Sequence, residues 1–440
     1  MRPADILSAV PSGQPSLTPL GAQAKGLSSG RSGYRRVDVA HRTLDVSAFP
    51  VQASQNIPFA NGVARVLTRE ELRNLAAWQN AFARKTKDHR FYEIVADTLD
   101  SKFEHHYLLL EDHAGNVRAI QPVFFVQQNL VEGIPALRAT VEMVRRRFPR
   151  FLTMRVLFVG NAAGEGHLSM GAPEDEEWVA NALYQVLEIY GRDSGASLVV
   201  FKDFPATYRD ALWKFSANDY TRVPSMPMTE LKLDYIDFDD YVTTLGASTR
   251  KDLRRKFRRI AGAAPIEVEV VTDLTPYVDE VHPLYLQVHE RSPLKFETLT
   301  KEYLSHLGRQ MPDRARFFIW RQNGKAIAFS VALVHDDTIY DDYLGLDYRV
   351  ALDLHLYFYT LRDILSWSLA QGLRRYRSSP LNYRPKLHLG CDLFPLDLYV
   401  RHTNPILNQI FRPMLKFLEP TRHDPILKRF RNADELHGGA

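Results

Sequence analysis

Two stretches of this chain present the same order of elements, and that duplication narrows the folds open to it more than any other feature. In the first, HHYLLLEDHAGNVRAIQPVFFVQ (His105 to Gln127) is two apolar runs around a turn at His113 to Asn116, the pattern of a β-hairpin. MRVLFVG reads as a strand ending at Gly160. From about Pro173, Val179, Leu183, Val186, Leu187 and Tyr190 recur at helical spacing, and SLVVFKDF is a further strand beyond Gly195. In the second, FFIWRQNGKAIAFSVALV (Phe317 to Val334) is a hairpin around Asn323-Gly324, and TIYDDYLGL (Thr338 to Leu346) is the next strand. A helix follows from about Asp353 to Gln371, and RRYRSS is the last strand. Hairpin, strand, helix, strand in both predicts a mixed α/β layer in each half. A helix that returns the chain between strands also makes neighbouring strands diverge, and ligands enter at such points.

The rest of the chain sets bounds. Residues 1 to 35 are rich in Ser, Gly, Pro and Ala without periodicity and read as a disordered tail, and 426–440 reads as a second tail. Between them, 36–225 and 226–425 are the two expected domains. The 56 basic residues are nearly matched by 52 acidic ones, so no general nucleic-acid coat is present and basicity is local. One cysteine, Cys391, excludes an intramolecular disulfide framework and a Cys-cluster zinc site and fits a reducing compartment. No apolar run approaches the roughly 18 residues of a membrane span, and the N-terminus lacks the apolar stretch of a secretory signal. The expected location is cytoplasmic, with peripheral contact at the inner membrane left open.

Local basicity is concentrated in STRKDLRRKFRRIAG (Ser248 to Gly262). Leu253, Phe257 and Ile260 form one buried stripe, and Arg250, Arg254 and Arg258 share another face with Lys251, Arg255 and Arg259 beside it. Such a crest suits RNA phosphates, acidic lipid headgroups or a nucleotide phosphate, or it is a solvated face meeting acids such as those of YIDFDDY upstream. A second cluster, VRRRFPRF (Val144 to Phe151), has the same character. The glycines of VGNAAGEGHLSMGAP, among them Gly164 and Gly166, are either turn punctuation or a substrate-lining loop. The acids that follow them, Glu174 to Glu177, would repel a bound phosphate. No P-loop, GxSxG or HExxH occurs, and Glu104-His105-His106 lacks the geometry of a metal motif.

Taken in order, STRKDLRRKFRR, VDEVHPLYLQVHERS, WRQNGKAIAFSVALV with Gly324 and Ala328, IYDDYLGLDYR, the long helix and YRSSP resemble the acetyltransferase (GNAT) superfamily over about Ser248 to Pro380. Within it they are most similar to the branch of Fem-type aminoacyltransferases and the acetyltransferase-like domains of bacterial polysaccharide and lipid loci. The first half resembles the degenerate partner domain of Fem-like tandems. The resemblance implies tandem GNAT-like domains, each a mixed twisted sheet flanked by helices. It implies an enzyme moving an acyl group from a thioester such as acyl-CoA to an amine by direct attack, with no metal and no tightly bound cofactor. Alternatives are an aminoacyl-tRNA donor, or a non-catalytic binder of an envelope precursor or anionic membrane. The acceptor would be a small molecule or a lipid or envelope precursor; the oligomeric state is not legible. One departure stands out: LDYRVALDLHLY has no glycine after Gly345, where CoA-binding members carry a Gly-rich turn for the pyrophosphate.

An attacking amine must lose a proton, and a carboxylate beside the cleft accepts it. Asp341 and Asp342 lie in an otherwise apolar strand, on opposite faces by alternation, and one of them is the candidate base or amine anchor. Arg250, Arg254, Arg258, Gly345 and Leu346 are placed on the donor side. In LNYRPKLHLGCDLFPLDLYVRH, similar in order to the acceptor end of the cleft in this branch, Tyr383 is a candidate proton donor to the leaving group and Lys386 a fixed charge for the oxyanion. His388, Gly164 and Gly166 are candidates for lining the acceptor. Cys391 has no neighbouring sign of activation.

Overall fold

A computed structural model describes residues 55–99, 102–129, 143–147, 153–172, 175–292 and 295–438. The expected N-terminal tail lies outside these residues, as do Phe148 to Phe151 of the second basic cluster.

The first half runs β1 (Asn56–Phe59), β2 (Gly62–Leu67), α1 (His89–Thr98), β3 (Glu104–Asp112), β4 (Val117–Asn129), β5 (Thr153–Val159), α2 (Glu176–Asp193), β6 (Leu198–Pro205) and β7 (Thr221–Pro224). The second runs β8 (Met228–Lys232), α3 (Ala247–Ala261), β9 (Ile266–Val271), α4 (Val278–Arg291), α5 (Lys301–Gln310), β10 (Ala315–Gln322), β11 (Lys325–His335), β12 (Thr338–Leu346), α6 (Leu356–Ala370), β13 (Arg375–Ser378), α7 (Tyr383–His388) and β14 (Asp392–Phe394). The chain ends with β15 (Leu396–His402) and α8 (Pro405–Phe417) before short 3-10 turns. Both expected hairpins form, and in both halves the strand after the hairpin runs parallel to the strand after the helix: β5 with β6, β12 with β13. The fold is thus a tandem of two mixed sheets flanked by helices.

Among the described residues the first sheet has the order β1-β2-β3-β4-β5-β6-β15-β7 and the second β14-β8-β13-β12-β11-β10-β9. Period-two alternation sorts the second sheet's side chains. Phe317, Ile319, Phe329 and Val331 pack under α4 and α5, while Phe318, Trp320, Ala332 and Ile339 pack under α6. Burying a side chain of this size contributes roughly 1.5–3 kcal/mol. Phe91, Ile94 and Val95 of α1 enter the same cluster as α4 and α5, so the two halves share one core.

Two expectations need correction. β15 lies within the stretch 226–425 assigned to the second domain, yet it pairs with β6 and β7 in the first sheet. The terminal residues expected to fray are packed: Leu427, Phe430 and Leu436 are buried against Tyr383 and Leu393. Arg209 and Arg222 also bind the carbonyls of Leu436 and His437. Apolar side chains at 427, 430 and 436 and carbonyls bound by the two arginines explain the packing. No helix among the described residues is long and apolar enough to cross a membrane.

Candidate functional site

The ladder between β12 and β13 stops at the pair Asp341–Ser378, while β12 continues to Leu346 paired only on its β11 side. A central strand is normally covered on both faces, but Tyr340 to Leu344 are each partly accessible. The sheet therefore opens at this point. The register on the other side of β12 shifts there too: Ala332 faces Asp341 and Val331 faces Tyr343, leaving Asp342 as the extra residue of a bulge. Bulges re-aim side chains, and this one sends adjacent acids into different surroundings.

Asp341 points into the α6 side. Its carboxylate accepts from Ser330 Oγ and from Tyr376 OH at 2.7 Å. Burial pushes its carboxyl above the usual range in spite of these donors and of Lys386 nearby. Asp342 points the other way, toward a lysine from the first half. Lys87 Nζ lies 3.2 Å from Asp342 Oδ2 and 2.7 Å from Glu165 Oε2, and Lys87 is 1% exposed. One ammonium thus serves two carboxylates. The closer, Glu165, is held well below the ordinary range by Lys87 and His167 although it is buried, whereas burial carries Asp342 up to about 6. Lys87 itself is held charged by the two acids against its own desolvation.

Glu165 sits in the 160–171 loop, which lies where β5 and β6 part after Val159 and Phe201. Gly166 donates its amide to Asp203 O, and Lys202 Nζ donates to Gly164 O at 3.0 Å. Gly164 has φ +86°, and a Cβ there would overlap Lys87 Nζ. The first half's own divergence is therefore filled by its backbone, and both loop glycines press against Lys87 and β6 rather than an open cleft.

The segment after β13 supplies Lys386, which is buried and donates to Ser379 O beside the end of the ladder. Burial lowers its ammonium to about 8, with Cys391 and Asp341 acting against that. Tyr383 is placed elsewhere: its hydroxyl donates to Pro227 O at 2.8 Å inside the cluster with Phe430, so it has no proton aimed at the opening. His388 is exposed on α7. Burial pushes the Cys391 thiol up to about 12, which leaves it unreactive. Gly345 is required by packing: a Cβ would come 2.7 Å from Tyr285 N of α4, so the glycine lets that helix lie on β12. Leu346 is buried in the α6 core.

The basic helix α3 lies beside the start of α6, with Lys256 Nζ 4.2 Å from the centre of the Phe358 ring. Asp252 pairs with Arg255 and Lys256, Asp353 takes Arg259 at 3.2 Å, and Arg250 binds the carbonyls of Thr243 and Leu245. The upstream acids Asp237 and Asp240 are instead occupied with local backbone amides. Lys251, Arg254 and Arg258 have no ion pair among the described residues. The span without glycine, from Asp347 onward, turns through bonds from the Val350 and Ala351 amides to Asp347 O, and α6 begins at Leu356 after His355 in the left-handed region. No side-chain cap covers its first amides. Lys87, Glu165 and Arg314 were not legible as site residues; the signal available was a lysine flanked by Thr86 and Asp88 in a loop, which by itself is ordinary surface chemistry.

Residues 247–384, from α3 to the first turn of α7, match the family described as Acetyltransferase (GNAT) domain. This part of the chain is similar to that family. Two curated relatives, from Mycobacterium tuberculosis strains CDC 1551 / Oshkosh and ATCC 25618 / H37Rv, are named "Putative 8-amino-7-oxononanoate synthase 2". Each is 23% identical over 316 residues, covering 68% of this chain and 40% of its own. The chain thus spans about two fifths of the length of these relatives. Among solved structures, FemX is similar at 10% identity over 77% of this chain and 94% of its own, with a TM-score of 0.46. L-PGS from Bacillus licheniformis is similar at 12% identity over 79% and 97%, TM-score 0.46. A tandem GNAT protein from the clavulanic acid biosynthesis pathway is similar at 11% identity over 78% and 99%, TM-score 0.41.

Proposed function

We propose that this protein transfers an acyl group from an acyl-CoA thioester to an amine in the opening between β12 and β13. The observation that carries the reading is the single-sided run of β12 beyond Asp341, with the bulged Asp342 at its start. The acyl carbon lies along β12, and the donor phosphates lie toward the start of α6, where Lys251, Arg254 and Arg258 of α3 supply positive charge. The acceptor arrives as an ammonium. One proton passes to Asp342, the freed nitrogen attacks the thioester carbon, the C–N bond forms and the C–S bond breaks. The second proton leaves nitrogen as the adduct collapses and ends on the departing thiol. Lys386, fixed at Ser379, is the positive charge assigned to the oxyanion. The acceptor is a small molecule or a cell-envelope precursor.

The test is incubation of the protein with a panel of acyl-CoAs and amines while free thiol is followed. Amine-dependent thiol release is the expected result, and its absence across the panel, with aminoacyl-tRNA active instead, would replace the donor.

A second reading, docking on an anionic bilayer, has its own observation. α8 turns Ile406, Ile410, Met414 and Phe417 outward, at 75%, 55%, 48% and 76% exposure, and carries Arg412 and Lys416 but no acid. Co-sedimentation with phosphatidylglycerol vesicles, lost in I410D/F417D, would support it; equal recovery with and without vesicles would end it.

A further inference from the structure

We propose that Lys87 is a positioning residue for acyl transfer: its ammonium bridges Glu165 of the first half to Asp342 of the second and so fixes the carboxylate that receives the amine's proton. The proposal rests on the acyl-transfer reading and deepens it.

Four features of the structure are built around this ammonium. The loop that delivers it, Ala83 to Asp88, is gripped from the other half by Arg314. That guanidinium donates to the carbonyls of Thr86 at 2.8 Å and Ala83 at 3.4 Å, and also to Lys85 O. It pairs with Asp88 at 3.2 Å, and Asp88 and Asp313 are joined in turn by Arg90. Secondly, Lys87 is almost wholly buried, so its charge is held by the two carboxylates. Thirdly, Gly164 is the residue type that leaves room for Nζ. Fourthly, one partner is the unpaired residue of the β12 bulge, at the edge of the opening. A bridge that served only to join the halves would have no need of a bulged residue beside the cleft. Removing a merely structural pair would also leave the ionisation of that residue's neighbours out of the kinetics.

The charges facing Asp342 are Lys87 from the 83–88 loop, Glu165 from the 160–171 loop and Asp341 on its own strand. The phenols of Tyr303 on α5 and of Tyr343, which donates to Glu297, lie on the same side. Lys87 favours the ionised form of Asp342 and Glu165 disfavours it, so removing each must move Asp342 in opposite directions.

The experiment is the pH dependence of kcat/KM for the full chain with an acyl-CoA and amine pair, beside a 13C titration of the aspartate carboxyls. Lys87→Met should move the acid limb from near 6 to higher pH and lower kcat at least about tenfold. Glu165→Gln should move the limb to lower pH, and Lys87→Arg, which keeps the charge, should restore the wild-type limb. Should Lys87→Met fail to fold, the Glu165→Gln and Lys87→Arg pair still decides. Coincident limbs in folded variants of an active enzyme overturn the positioning role alone. A wild-type protein without turnover overturns the acyl-transfer reading instead, and the proposal then falls if Glu165→Gln leaves the carboxyl titration of Asp342 unmoved.

Discussion

Asp341 and Asp342 are neighbours in sequence and separate in chemistry because one residue of register is lost between them. Asp341 is satisfied by Ser330 and Tyr376, while Asp342 has only a shared ammonium and the edge of the opening. The adjacency of two acids in an apolar strand was legible in TIYDDYLGL, and so was the value of a lysine after the last strand. The lysine that completes the pair was not, because Lys87 and Asp342 are 255 positions apart (342 minus 87) and only the fold brings them together. Tyr383 was equally opaque: a phenol next to the cleft and a phenol under a C-terminal turn read alike in one dimension. Asp342→Asn should lower kcat by roughly 10²–10⁴ and abolish the acid limb near pH 6, and it should also lower the unfolding midpoint because the buried Lys87 loses one of its two carboxylates. A profile that keeps its limb would assign the base elsewhere. Lys386 sets the other side. Its ammonium is charged below about 8 and loses its proton above, so activity should fall on the alkaline side through that value. Lys386→Met should remove that fall and leave the lower, pH-independent rate of an enzyme without the charge, read from kcat between pH 7 and 10.

At the scale of elements, the strongly periodic pieces were readable: both hairpins, β12 at its observed bounds, and α6 to within a few residues of the expected Asp353 to Gln371. Their patterns are set by local spacing. What spacing cannot convey is which side of α3 is used. The sequence offers an unbroken cationic crest, yet Asp252 and Asp353 take Arg255, Lys256 and Arg259, and Arg250 is bound to backbone carbonyls. Lys251, Arg254 and Arg258 are the cations left for an anionic ligand. Replacing Arg254 and Arg258 with alanine should raise KM for acyl-CoA about tenfold or more with kcat little changed, and should flatten the dependence of KM on salt. The double variant separates the donors: competition by dephospho-CoA against CoA should lose its difference if these arginines hold the phosphates. Unchanged KM at low salt would return the crest to the status of a solvated face.

For the whole molecule the decisive feature is the return of β15 into the first sheet. It lies between β6 and β7, so the first half is finished only after the second has been made. Nothing in DLFPLDLYVRH marks this, since an apolar strand is compatible with either sheet, and pairing over such separation is settled by the partner edge rather than the strand. The crossing is fastened by Asp397, which is fully buried. Its carboxylate takes Arg209 at 2.7 Å and Arg222 at 3.1 Å, and the same two arginines hold the carbonyls of Leu436 and His437. One acid therefore binds two arginines that tie β15, β7 and the C-terminal turns together. Removing it leaves two poorly hydrated guanidinium groups facing each other. Asp397→Ala should cost about 3–5 kcal/mol in urea unfolding, the loss typical of a broken buried pair. It should also expose 427–438 to hydrogen exchange. Because the halves share the core around α1, α4 and α5, both should unfold in one transition in the wild type. In the variant the midpoint should fall for fluorescence of Trp178 in the first half and of Trp320 in the second alike. A drop confined to Trp178 would mean that the halves are stable separately and that β15 is a strap rather than a shared strand.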